Sequence, residues 1–126
     1  MMKITLSSVP IGDYDRALKF YTEILGFVEK MYMPEMNLAI VVSPEDTDGT
    51  TLLLEPRGGF GSDIFFDGVY EAKVPVIIFG THDIQSDYER LVAKGVTFQG
   101  EPKKTDWGTQ AIFDDTCGNF IQLHQP

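Results

Sequence analysis

The sequence predicts an α+β fold: two tandem βαβββ modules forming a curved eight-stranded sheet around a central cavity, with the helices outside. Three observations carry that prediction. First, a turn and its strand are written twice. Asp46-Thr47-Asp48-Gly49 runs into Thr51-Leu52-Leu53-Leu54-Glu55-Pro56, and 69 residues later Asp115-Thr116-Cys117-Gly118 runs into Phe120-Ile121-Gln122-Leu123-His124-Gln125-Pro126. Asp, Asn and Gly suit such a turn because they bond their own backbone or tolerate positive φ, and the apolar run after them suits a strand. Second, each half carries a helical stripe: Tyr14, Ala17, Leu18, Tyr21 and Leu25 in one, Ile84, Tyr88, Leu91 and Val92 in the other. Third, a glycine closes each stripe, Gly26 and Gly95, again 69 residues apart. A repeat this long in a chain of 126 residues means one supersecondary unit used twice. Half the chain alone buries too little surface to be comfortable, so the two copies are expected to share one domain, 1–126.

Taken in order, residues 3–9 read as a strand of mixed faces. Gly12-Asp13 breaks it, with Asp13 as the N-cap of the first helix. Strands follow at 27–33 and 37–42, then the first polar turn and the strand 51–55, which completes module 1 at about residue 60. The segment 57–72 separates the modules. Its Phe60, Ile64, Phe65, Phe66 and Tyr70 make it too aromatic for a solvated linker. A flap over a pocket, a dimer contact and a loop covering its own core are the alternatives. Module 2, about 72–126, repeats the order: strand 74–79, Asp83 as N-cap, a helix to Gly95, then strands 96–98, 108–114 and 119–124.

Ten basic against nineteen acidic residues give a net charge of −9. That excludes nucleic acid and anionic membrane surfaces as main partners, since both need a basic patch. No apolar run reaches the roughly 20 residues of a membrane span. Met1-Met2-Lys3-Ile4-Thr5 has no apolar core of a secretory leader, and a lone cysteine, Cys117, has no disulfide partner, so a cytoplasmic location is expected.

Gly12-Asp13, Ala17, Phe20-Tyr21 and Leu25-Gly26-Phe27 resemble the first-half signature of the vicinal oxygen chelate superfamily of glyoxalases, bleomycin-resistance proteins and extradiol dioxygenases. Asp114-Asp115-Thr116-Cys117-Gly118-Asn119 followed by Ile121-Gln122-Leu123 is similar to its second-half ending, and the resemblance covers the whole chain. It implies a divalent metal held by His, Gln or Glu from the first and last strands of each module. Carried over, those four positions fall on Leu6, Leu53, Val76 and Gln122. Three are aliphatic and offer no donor, so neither a metal nor another cofactor is expected.

Strand alternation extends the set. Ser8 shares a face with Leu6, Glu55 with Leu53, Ile78 with Val76, and Phe120 and His124 with Gln122. Trp107, the single tryptophan, stands at the start of a strand where it could cover a pocket mouth. Each residue also has a plain structural role open to it. Leu6, Leu53 and Val76 can fill a core, Glu55 can pair with Arg57 at a strand end, and His124 can be solvated. His82 reads as a helix-start residue and Cys117 as a turn residue. The expected function is binding of a small organic molecule, aromatic or cationic, in an apolar cavity by a homodimer. The alternative is an enzyme, lyase or dioxygenase, with metal in a shifted site or with Glu55 or His124 as general base.

Overall fold

Asp13 and Asp83 start the two expected helices. The Asp13 carboxylate accepts from the Arg16 N–H at 3.1 Å, and the Asp83 carboxylate from the Ser86 N–H at 3.1 Å. Each satisfies one of the donors that a helix N-terminus leaves open. The computed structural model describes residues 1–58 and 61–126, which form two compact units, 1–63 and 64–126.

In the first unit, β1 (Leu6–Ile11) leads to α1 (Tyr14–Lys19), which continues as a π-helical turn, Phe20–Ile24. There Leu25 N–H reaches back five residues to the Phe20 carbonyl at 3.0 Å. Then come β2 (Val28–Met33), β3 (Leu38–Val42) and β4 (Thr51–Pro56), in the sheet order β1-β4-β3-β2. The β1–β4 pair is parallel and the others are antiparallel. One sheet face is buried against the helix: Val9, Ile11, Ala39, Val41, Leu52 and Leu54 sit with Ala17, Phe20 and Tyr21 in one core. Tyr14 anchors the start of α1, donating its hydroxyl to the Leu38 carbonyl at 3.1 Å and stacking on Tyr32.

The second unit repeats this plan. β5 (Pro75–Gly80), α3 (Ile84–Ala93), β6 (Lys103–Thr105), β7 (Gly108–Asp114) and β8 (Phe120–Gln125) give the order β5-β8-β7-β6, again with a parallel first pair. Its core holds Ile84, Leu91, Val96, Ala111, Phe113, Ile121 and Leu123. Each unit is therefore a βαβββ module with a four-stranded sheet.

Three local expectations need correction. The first strand is Leu6–Ile11 rather than 3–9, because Gly12 rather than Pro10 ends the pairing; Pro10 still aligns with Glu55. Residues 96–98 are not a strand: only Phe98 bridges to Phe113, and the edge strand forms later, at Lys103–Thr105. The segment between the modules contains a helix, α2 (Ser62–Glu71), none of whose residues is buried. Phe60 lies outside the described residues.

Candidate ligand-binding faces

Because side chains alternate along a strand, the face of each sheet turned away from its helix collects the remaining residues. On the first sheet this open face carries Leu6, Ser8, Leu53 and Glu55. Ser8 stands beside Leu53, Leu53 beside Ile40, and Pro10 beside Glu55. Leu6 is 46% exposed, and Glu55 is exposed at the strand end. Arg57 forms its ion pair with Asp63, at 3.7 Å, and donates to the Asp63 carbonyl at 3.1 Å.

On the second sheet the open face carries Ile78, Phe120, Gln122 and His124. Gln122 lies between Ile78 and Ile112, and His124 between Gly80 and Gln110. Ile78 is 59% exposed. Val76 does not keep the expected register. Pro75 aligns with Phe120 and Ile77 with Ile121, so the ladder gains a residue at Val76, which sits in a β-bulge. Alternation counted from sequence assumes no such insertion.

The polar groups on this face are held. Gln122 Nε2 donates to Gln110 Oε1 at 3.2 Å. His124 Nε2 lies 2.9 Å from the Trp107 carbonyl oxygen. A carbonyl only accepts, so Nε2 carries the proton and Nδ1 is left as the acceptor of the neutral ring. Trp107 itself occupies the turn between β6 and β7 and is 86% exposed. Its backbone carbonyl fixes His124.

Sequence reasoning missed Gln110, Asp114 and Tyr70. Tyr70, from α2, stacks on Phe120 with ring centroids 4.8 Å apart and planes 14° apart. Its hydroxyl donates to Asp114 Oδ2 at 2.6 Å. That bond to the carboxylate, with burial second, pushes the Tyr70 hydroxyl up to about 12. Asp114 was legible as the end of a strand, but nothing in the sequence linked it to a tyrosine 44 residues away. Beside this face, at the β6 edge, a shallow cavity of about 150 Å³ is lined by Gln99, Glu101, Lys103, Gln110 and Ile112 among others.

The metal positions implied by the resemblance do not fit an ion. Leu6, Leu53 and Val76 carry no side-chain donor atom, which leaves the Gln122 amide oxygen as a single neutral donor where an ion needs about three. Among the described residues, no group of three or more His, Cys, Asp or Glu could hold a metal. No described helix is long and apolar enough to cross a membrane.

Two repeated βαβββ modules with these open faces define a known class. A family model described as the Glyoxalase/Bleomycin resistance protein/Dioxygenase superfamily matches residues 3–123, and the chain belongs to that superfamily. Among its relatives, the uncharacterised protein YurT of Bacillus subtilis (strain 168) is 46% identical over 98% of this chain and 99% of its own length. The crystal structure of UcmS2 matches with a TM-score of 0.82 at 28% identity, over 98% of each chain. TnmS3, an antibiotic binding protein from Streptomyces sp. CB03234, matches with a TM-score of 0.76 at 30% identity, over 100% of this chain and 97% of its own.

Proposed function

We propose that this chain binds a small organic molecule on the open faces of its sheets, without a metal ion, as a single two-module domain that works as a homodimer in the cytoplasm. The observation that carries the reading is the donor chemistry of those faces. Leu6, Leu53, Ile78 and Phe120 give apolar area, while Ser8, Gln122 and His124 give a few polar groups. Apolar walls with a few fixed polar groups suit an organic ligand. A divalent ion would need about three donors of suitable softness and would be poorly held by aliphatic walls. The antibiotic-binding activity of TnmS3 supports the same reading. The net charge of −9 and Glu55 favour a neutral or cationic ligand over an anion.

A second reading, catalysis, draws on His124. With Nε2 tied to the Trp107 carbonyl, Nδ1 is a fixed acceptor able to serve as a general base.

The test has two arms on protein purified without chelator. Metal analysis, with a hemithioacetal isomerisation assay supplemented with zinc, nickel, manganese or iron, is expected to find no stoichiometric metal and no turnover. An amide-resolved NMR screen of aromatic and cationic compounds is expected to move the Ile78, Phe120 or Gln122 signals. A metal bound at one per chain, or turnover abolished by a chelator, would restore the metalloenzyme reading. A screen in which no compound perturbs either open face removes the binding reading.

A further inference from the structure

Helix α2 is weakly embedded for an element of ten residues: none is buried, and Ile64 and Phe65 are 81% and 65% exposed. One side chain near its C-terminal end is held firmly. The Tyr70 ring lies nearly parallel to Phe120 at 4.8 Å, and its hydroxyl donates to Asp114 Oδ2 at 2.6 Å. Asp114 is itself fixed, because its Oδ1 accepts from the Thr116 N–H at 2.7 Å. Phe120 and Asp114 are cross-strand neighbours on the open face of the second sheet, and Gln122 follows Phe120 on the same face. The Tyr70 side chain is thus a phenol lying on that face, stacked on one neighbour and hydrogen-bonded by the other.

We propose that Tyr70 is a displaceable occupant of the ligand's place, and that the ligand is a planar aromatic molecule carrying a hydrogen-bond donor, a phenol foremost. The inference rests on the reading of this face as the binding face and adds the chemistry it selects. The incoming ring takes over the stack on Phe120, and its hydroxyl takes over the bond to Asp114. An ionised carboxylate only accepts, so Asp114 selects a donor and rejects an anionic ring substituent at that point. Phe120 selects a flat ring over an aliphatic alcohol. Displacement of Tyr70 undocks α2 from the sheet, so the segment between the modules reports occupancy. Its own docking lowers the apparent affinity by the fraction of molecules in which the place is vacant.

The probe is p-cresol, with toluene as the ring that lacks the donor. In the wild-type chain, millimolar p-cresol is expected to shift the Phe120 and Gln122 amides and to speed hydrogen exchange over residues 64–71 severalfold. Removing the resident ring by Tyr70→Ala is expected to tighten p-cresol binding by at least about tenfold, as loss of a competing occupant requires. Toluene should gain much less. Adding Asp114→Ala to that variant, which leaves no acceptor at that point, should erase the preference for p-cresol over toluene. Exchange over 64–71 that stays unchanged while p-cresol binds overturns the proposal. So do a Tyr70→Ala chain that binds p-cresol no more tightly, and a gain shared equally by toluene. The wild-type exchange measurement decides the matter if the variant does not fold. Wild-type NMR hits on the open faces from other compounds, with p-cresol inert on both chains, leave the binding reading standing and remove this one.

Discussion

Asp115 and Asn119 close on each other through both backbone and side chain. The Asn119 N–H donates to Asp115 Oδ1 at 3.0 Å, Asn119 Nδ2 donates to Oδ2 at 2.9 Å, and the Asp115 N–H donates to the Asn119 carbonyl at 3.0 Å. The Cys117 N–H adds a bond to Oδ1 at 2.7 Å. Both residues are buried, at 0% and 1% exposure. A buried carboxylate is costly unless donors surround it, and here the donors come from the turn it organises. The turn sets the entry to β8, which carries Phe120, Gln122 and His124.

The twin turn in the first module is built differently, and this separates two mutations that look alike in sequence. Asp115→Ala removes three charge-assisted bonds from a buried site and is expected to cost about 3 kcal/mol. Asp46, at the matching position, is exposed. Its replacement by alanine should cost less than about 1 kcal/mol, as surface substitutions do. Urea unfolding of the two variants checks the contrast, and equal losses would contradict it.

Gly108 permits the contact that holds His124. Its φ is +130°, and a Cβ there would crowd the Gln125 carbonyl and stand 3.0 Å from His124 Nε2. Gly108→Ala should therefore break the bond from His124 to the Trp107 carbonyl and destabilise the chain by about 2–3 kcal/mol through strain and displacement. Nitrogen-15 spectra of the imidazole provide the direct reading. The wild type should show Nε2 protonated, and the variant a mixture of tautomers.

The elements legible in the sequence are those that local chemistry dictates. Asp13 and Asp83 cap helices because a short carboxylate fits the free N–H groups there. Gly26 and Gly95 end them with φ of +92° and +89°, a conformation other residues resist. Leu52 and Leu54 against Leu53, and Ile121 and Leu123 against Gln122, gave the two faces by alternation. What escaped depends on insertions and on distant partners. The bulge at Val76 changes register without a distinctive residue. The π turn at Phe20–Ile24 reads as ordinary helix, since its stripe continues. Helix α2 has glycine at position 68 and aromatic neighbours, so composition favoured a loop. The pairing of Tyr70 with Asp114 is a tertiary contact that no window of sequence contains.

Ile64 and Phe65 are the exposed apolar residues of α2, whereas Tyr70 is spent on its own chain. The homodimer proposal therefore narrows to those two side chains, which a second copy would cover. Light scattering of the wild type at micromolar concentration should give twice the 14.1 kDa chain mass. Ile64→Glu with Phe65→Glu should shift it to the monomer, because a charge in an apolar contact lacks a partner. A wild-type mass of one chain would remove the dimer, and a variant that stays dimeric would place the contact elsewhere.

The Tyr70 hydroxyl gives the second unit a pH signature. Its pKa rises from 10.0 to about 12, chiefly through the hydrogen bond to Asp114 and secondarily through burial. A raised pKa means that the folded chain holds the proton where the unfolded chain has released it. The linked stability is complete below pH 10.0 and is lost as pH climbs toward about 12. The sign follows because the native state binds more protons in that window, so unfolding becomes easier with each increment of pH. Ultraviolet difference titration of the wild type against Tyr70→Phe isolates this one phenol from Tyr14, whose hydroxyl burial likewise pushes up to about 12. Asp114→Asn should lower the Tyr70 midpoint, since an amide oxygen still accepts the bond but no longer opposes a phenolate charge. It should also flatten the fall in stability between pH 10.0 and about 12. A Tyr70 midpoint left in place by that substitution would mean that the carboxylate does not hold the phenol, and the Tyr70 ring would then be held by its stack on Phe120.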